Sequence, residues 1–380
     1  MPTRQILLPN EDRSLSVYEP PDGRNWPKPS APIRSRNLIA AAHVVCDPLG
    51  PDIRTIDWEA TLAYRHVLRC YGLRVAEAMD TAQRGSELAW PQAKELILHS
   101  CAQGEAVACG AGTDQLDPAT IHSLETIIHA YQEQCEWIEK CGGAVILMAS
   151  RALARSAQSA DDYRRVYGRV LSQLRDRAIL HWLGPAFDPA LTGYWGHNDL
   201  YAAADVCLSI IEENAACVDG IKLSLLGGRL EIAMRRRLPS GVRMYTGDDF
   251  NYVDLIRGDD QGHSDALLGI FDAIAPVASA ALQALDRGNL DQYETILRPT
   301  EQLSRVVFEP PTSDYKTGIV FLAWLNGFQN HFRMLGGRES ARTIVHLSRV
   351  FRLASEAGVL IDPDLACQRM RLLLEQSGIH

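Results

Sequence analysis

From residue 36 to about residue 275 the chain alternates between short apolar runs and longer segments whose apolar residues recur every three or four positions. The short runs are Leu38–Val45, Arg74–Met79, Ala106–Cys109, Ala144–Met148, Ala178–Trp182, Val218–Leu223, Val242–Tyr245 and Ala266–Phe271. Their length suits strands buried on both faces. Trp58–Cys70, Trp90–Cys101, Ile121–Lys140 and Asp161–Arg175 lie between them and carry helical spacing. Eight strands interleaved with helices predict an α/β fold, a (β/α)8 TIM barrel over residues 36–275. An open doubly wound sheet is the alternative. No GxGxxG follows the first run, so a dinucleotide fold has little support.

The ends of the chain read differently. Residues 1–35 contain Pro20-Pro21-Asp22-Gly23 and Trp26-Pro27-Lys28-Pro29, an extended or irregular arm suited to wrapping a neighbouring subunit. Residues 276–380 show only helical periodicity, in Pro276–Arg287, Leu290–Arg305, Thr317–Leu335, Ala341–Ala357 and Asp362–Ser377. A C-terminal helical extension and an arm are surplus to a barrel, which leads us to expect a homo-oligomer.

Composition narrows the class. The 380 residues are 46% hydrophobic and 22% charged, as in ordinary globular proteins, and the formal charge of −9 argues against a nucleic-acid binder. The basic run Arg235-Arg236-Arg237 reads as a solvated helix end. The nine cysteines form no CxxC pair, and Cys135 and Cys141 have the wrong spacing for a zinc ribbon; reduced thiols of a cytoplasmic protein are expected. Met1–Pro9 lacks the apolar core of a signal peptide, and no apolar stretch approaches the ~20 residues of a membrane span, so no membrane partner is expected.

One cation interrupts the sixth run: Lys222, inside Ala216-Cys217-Val218-Asp219-Gly220-Ile221-Lys222-Leu223-Ser224-Leu225-Leu226. A lysine there snorkels to water, sits in a salt bridge, or is held where burial lowers its pKa and makes the amine a nucleophile toward carbonyls. Barrel enzymes place their chemistry at the carboxyl ends of the strands. That rule selects His43 and Asp47, then Asp80, Thr81 and Gln83, then Gly110, Gly112, Thr113 and Asp114. Further along it selects Ser150 and Arg151, His181 and Trp182, Lys222, and Gly247-Asp248-Asp249. Each has a structural alternative: Asp80 and Thr81 as helix caps, Gly110 and Gly112 as turn glycines of positive φ, and His181 as a packed histidine.

Val218-Asp219-Gly220-Ile221-Lys222 resembles the Gly-Ile-Lys strand that carries the Schiff-base lysine in the dihydrodipicolinate synthase and N-acetylneuraminate lyase family of class I aldolases. Tyr245-Thr246-Gly247-Asp248-Asp249 follows at the right spacing and is similar to that family's Ser-Gly-Asp-Asp segment. Asp47, Asp57, Tyr71-Gly72-Leu73, and Phe308-Glu309-Pro310 with Lys316 extend the resemblance over residues 37 to about 330. The chain departs from the family in two loops. The Gly-Thr-Thr-Gly-Glu loop is replaced by Met79-Asp80-Thr81-Ala82-Gln83-Arg84-Gly85-Ser86, and Pro-Tyr-Tyr by Ala149-Ser150-Arg151, which removes the proton-shuttling tyrosine. The loop Leu183–Gly196 is longer and aromatic.

The resemblance implies a lyase, an aldolase or hydro-lyase, acting on a 2-oxo acid or keto-sugar derivative through a Schiff base on Lys222, as a dimer or tetramer and without a cofactor or resident metal. With the tyrosine absent, the proton carrier falls to His181, Tyr245, Tyr194 or Asp248; His181 is preferred because its unperturbed pKa lies nearest neutrality. Thr81, Asp80, Gly110, Gly112, Thr113, Arg151, Gly247, Asp248 and Asp249 are the expected substrate contacts. Trp182, Tyr194 and Trp195 are expected to face a sugar ring. Two further readings stay open: a metal-dependent lyase or isomerase using His43, Asp80, His181 and Asp248, and a non-catalytic ligand-binding barrel.

Overall fold

The computed structural model describes residues 4–104 and 107–379. Ala106 of the third predicted strand and Met1, Pro2 and Thr3 of the amino terminus lie outside these residues. Two strands, β1 (Ile6–Pro9) and β2 (Leu15–Tyr18), form an antiparallel hairpin. Eight more follow: β3 (Leu38–Ala41), β4 (Arg74–Glu77), β5 (Val107–Ala111), β6 (Ala144–Met148), β7 (Ala178–Leu183), β8 (Val218–Ser224), β9 (Arg243–Thr246) and β10 (Asp265–Leu268). These eight pair in parallel and close in the order β10-β3-β4-β5-β6-β7-β8-β9. The fold is a (β/α)8 TIM barrel with further helices at the carboxyl terminus.

The helices are α1 (Trp58–Cys70), α2 (Trp90–Cys101), α3 (Leu124–Lys140), α4 (Arg151–Ser156), α5 (Ala160–Leu171), α6 (Leu200–Glu213), α7 (Gly228–Arg235) and α8 (Tyr252–Arg257). Then come α9 (Ile270–Asp286), α10 (Leu290–Val307), α11 (Tyr315–Leu325), α12 (Ile344–Glu356) and α13 (Pro363–Gln376). Their starts are set by polar side chains that satisfy first-turn N–H groups. Ser123 accepts from Thr126 N at 3.1 Å before α3, and Asp199 from Ala202 N at 2.8 Å before α6.

The chain divides into two compact units. One holds Arg36–Ala42 and Arg74–Leu268, and so all eight barrel strands. Its interior is lined by Ile39, Ala41, Ala76, Ala108, Ile146, Ile179, Tyr245 and Leu267. Burial of each larger aliphatic among them stabilises the fold by about 1.5–3 kcal/mol. Side chains alternate across a strand, so residues two positions further along face the same interior nearer the carboxyl-terminal mouth.

The other unit holds the residues up to Ser35, His43–Leu73 and those from Gly269 on. Within it the amino-terminal arm is pinned to helices of its own chain. Trp26 Nε1 donates to Gly358 O at 2.7 Å, Arg4 Nε to Asp364 Oδ1 at 2.9 Å, and the Tyr18 ring meets Phe351 edge-on at 6.3 Å. The helix α9 bends at Ile274 (φ −114°) before Pro276, whose ring nitrogen has no hydrogen to donate.

Three predicted strands are too long, and in one of them Ala78 and Met79 follow the end of β4 at Glu77. Ala42–Val45 leaves the sheet after β3, and Ile270 and Phe271 open α9 instead of extending β10. Short apolar runs do not distinguish a buried strand from the first turn of a buried helix. No described helix is long and apolar enough to cross a membrane, and all nine cysteines are free thiols.

Candidate active site

The alternation on β7 and β8 brings two groups into the mouth. His181 lies two residues beyond interior Ile179, and Lys222 two beyond Gly220, over which the interior Tyr245 ring packs. The two are partners in the parallel ladder. Ser224, another two residues on, accepts or donates a hydrogen bond with His181 Nε2 at 3.2 Å through its hydroxyl. Gly247, just past β9, closes the group. A Cβ there would lie 2.8 Å from Lys222 Cε and 2.2 Å from Ser224 Oγ, so the lysine stem runs where only a glycine leaves room.

Lys222 is 7% exposed, and burial pushes its pKa down from the usual 10.5 to about 8, against the opposing pull of the Asp249 and Asp80 carboxylates. His181 is 2% exposed; burial first, and the Lys222 charge second, hold its pKa well below the ordinary value. The imidazole is therefore neutral near pH 7. Its Nδ1 is buried and has no hydrogen-bond partner among the described residues.

The barrel unit also buries an acid that nothing in the sequence marked, Glu231 of α7. Burial pushes its pKa up to about 8, Ser264 pulls it down by hydrogen bonding, and Asp248 pushes it up. Its Oε1 accepts from Ser264 Oγ at 2.7 Å. Ser224 was also missed, although strand alternation from Lys222 places it on the same face.

Several expected substrate contacts already have partners within the protein. Asp248 Oδ1 accepts from Phe250 N at 2.9 Å and Asn251 N at 3.2 Å, and Oδ2 from Asn251 Nδ2 at 2.7 Å, which fixes the turn after β9. Gly110 belongs to β5, paired with Ile146, and a Cβ there would lie 2.8 Å from Met148 Sδ. Gly112 N donates to Gln134 Oε1 at 2.6 Å, and neither glycine has positive φ, so they form no anion-binding turn. Thr113 Oγ1 pairs with Ser150 Oγ at 2.6 Å. Arg151 gives Nε to Asp188 and Nη1 to Gly85 O at 2.9 Å.

The aromatic candidates also leave the site. Trp182 follows His181 and so points to the opposite side of its strand, where it meets Trp195 edge-on at 6.1 Å. Tyr194 lies in the same buried cluster: its hydroxyl accepts from Ser150 N at 3.0 Å and pairs with Tyr167 at 2.9 Å. Tyr245 leans toward the amino end of the barrel and donates to Asp219 Oδ2 at 2.7 Å; burial, and then Asp219, push its pKa up. It is not oriented as a proton carrier for Lys222. Asp80 and Thr81 occupy one helical turn after β4, where Thr81 is buried and Asp80 acts electrostatically on Lys222.

In the other unit, His43 spends both ring nitrogens, Nδ1 on Asp272 Oδ2 at 2.6 Å and Nε2 on Gln329 Oε1 at 2.9 Å. Gln329 Nε2 donates to His331 O at 2.7 Å, which fixes its amide oxygen toward His43. Among the described residues no group of three or more His, Cys, Asp or Glu is arranged to hold a metal, so the proposed set His43, Asp80, His181 and Asp248 does not assemble.

A family model described as "Protein of unknown function (DUF993)" matches residues 6–379. Comparison with the curated proteins gave no match. Among solved structures the chain is similar to dihydrodipicolinate synthase from Bacillus clausii, with TM-score 0.62 and 13% identity over 85% of this chain and 98% of that one. It is similar to the enzyme from Oceanobacillus iheyensis, with TM-score 0.61 and 14% identity over 83% of this chain and 95% of that one. A chloride-inhibited dihydrodipicolinate synthase from Acinetobacter baumannii, solved in complex with pyruvate, gives TM-score 0.62 and 14% identity over 86% and 100% of the two chains. At such identities the likeness is one of fold.

Proposed function

This chain belongs to the DUF993 family, and we propose that it is an aldolase-type lyase in which Lys222 forms a Schiff base with a small carbonyl compound. The observation that carries the reading is a lysine on the interior face at the mouth of the barrel, desolvated to a pKa of about 8 beside a neutral histidine. At pH 7 such a lysine is unprotonated in about one molecule in ten, against on the order of one in three thousand for an ordinary lysine. The pyruvate complex of the Acinetobacter baumannii relative is consistent with a carbonyl ligand in this fold.

The ammonium of Lys222 gives one proton to His181, and the amine adds to the carbonyl carbon. One proton from nitrogen and the one on His181 pass to the oxygen, which leaves as water. The iminium keeps the single positive charge, and its nitrogen draws in the electron pair when the adjacent C–C bond breaks or a hydroxyl departs. Ser224 holds His181 through Nε2, leaving Nδ1 for the moving proton.

Borohydride reduction in the presence of a carbonyl panel, followed by peptide mass spectrometry, tests this. The expected product is a secondary amine on Lys222 that is absent from Lys222→Ala. Ligand-induced thermal stabilisation with no adduct and no turnover across the panel would replace the enzyme by a ligand-binding barrel.

A further inference from the structure

Resting on the Schiff-base reading, we propose that the substrate of Lys222 is an uncharged polyhydroxy ketone or aldehyde rather than a 2-oxo acid, with substrate hydroxyls donating to Asp80 and Asp249. A 2-oxo acid brings its carboxylate one bond from the carbon that joins Nζ. That charge needs matched cations or free N–H groups within a few ångströms of the lysine.

Arg84, the Gly112 N–H and Arg151, three donors of the loops after β4, β5 and β6, already have partners within the barrel unit. Arg84 uses all five N–H groups. Nε and Nη2 form a fork on Asp114 at 2.7 and 2.8 Å, Nη2 also reaches Gln134 Oε1 at 2.7 Å, and Nη1 reaches Ala78 O at 3.1 Å and Gly110 O at 3.2 Å. The Gly112 N–H is held by Gln134, and the Arg151 charge is matched by Asp188. Arg229 opens α7 as an exposed residue, with its charge screened by water.

The groups acting on Lys222 are instead the carboxylates of Asp249 and Asp80. Once the imine forms, they balance the iminium and repel a substrate carboxylate, while each hydroxyl of a polyol offers them an O–H donor. His181 Nδ1 independently points to a polar ligand: it is a buried ring nitrogen without a partner among the described residues, able to bond a hydroxyl or the carbonyl oxygen.

The test is borohydride trapping of the full chain with dihydroxyacetone or pyruvate at matched concentration. Each rate is normalised to that of a free alkylamine, and the adduct is located by peptide mass. A reduced adduct adds the mass of the carbonyl compound less one oxygen. Dihydroxyacetone is expected to be trapped on Lys222 at least about tenfold faster than pyruvate. In the double variant Asp80→Asn with Asp249→Asn that preference is expected to narrow or reverse. Equal or faster trapping of pyruvate by the wild-type chain overturns the substrate class and leaves the Schiff-base reading standing. Trapping of neither on Lys222 overturns both. A preference unchanged in the double variant, shown to be folded by circular dichroism, overturns the role of the two carboxylates.

Discussion

Arg84 and Lys222 are both buried cations of the barrel unit, and they are treated in opposite ways. Arg84 meets a carboxylate fork, two carbonyls and an amide, so its charge is fully compensated and tacks the loop after β4 to the loop after β5. Lys222 has two carboxylates acting on it, yet desolvation outweighs them and its pKa falls. The two histidines repeat the contrast. His43 has acceptors on both nitrogens, whereas His181 has one partner and, among the described residues, one orphaned nitrogen. Satisfied buried charge holds a fold together; incompletely satisfied buried groups store free energy that a reaction can use.

Replacing Lys222 breaks the contrast most sharply. Lys222→Met should lower carbonyl trapping at least about a thousand-fold. It should also stabilise the protein at pH 7 by on the order of 1–3 kcal/mol, since a buried ammonium is removed. The sign follows from the depressed pKa: the lysine costs stability below pH 8, and that cost is relieved as pH rises from about 8 toward 10.5. Denaturant melts of both proteins across that window should therefore converge. A variant less stable than wild type at pH 7 would mean that the lysine is a structural cation like Arg84.

Arg84→Met should do the opposite, costing about 3–5 kcal/mol of unfolding free energy because Asp114 loses its partner. A loss below about 1 kcal/mol would show that the network is dispensable. His181→Ala should slow imine formation about a hundred-fold at pH 7. An unchanged rate would move the proton transfer to water or to another group. Gly247→Ala puts a methyl where Lys222 Cε and Ser224 Oγ now lie; it should cost about 1–3 kcal/mol and reduce trapping together with stability. The smallest effect is expected from Tyr245→Phe, which loses the bond to Asp219 for about 1 kcal/mol and leaves the trapping rate unchanged. A rate loss there would return the tyrosine to the catalytic group.

The barrel was legible in the sequence because eight apolar runs separated by helical periodicity have few other ways to bury themselves. The strand ends were less legible. Ile270 and Phe271 are apolar in either state, and only their contacts decide for a helix. At the site, Lys222 and His181 could be found from strand position alone, and Ser224 could have been. The same alternation could have set Trp182 aside, but not Tyr194, Gly112 or Arg151, which lie beyond strand ends. An aromatic or cation beside a strand end looks the same in sequence whether it faces a ligand or a neighbouring side chain.

The sequence by itself determined the hydrophobic alternation, hence a closed parallel barrel with a single lysine on an interior position of its sixth strand. Tertiary structure alone decided which polar groups were already spent. Hydrogen bonds such as Gly112 N to Gln134, 22 residues apart, or Tyr245 to Asp219, 26 apart, depend on how strands and loops meet in space. Burial does too: the same lysine would keep its ordinary pKa in water and loses it only where the β7, β8 and β9 mouth excludes solvent.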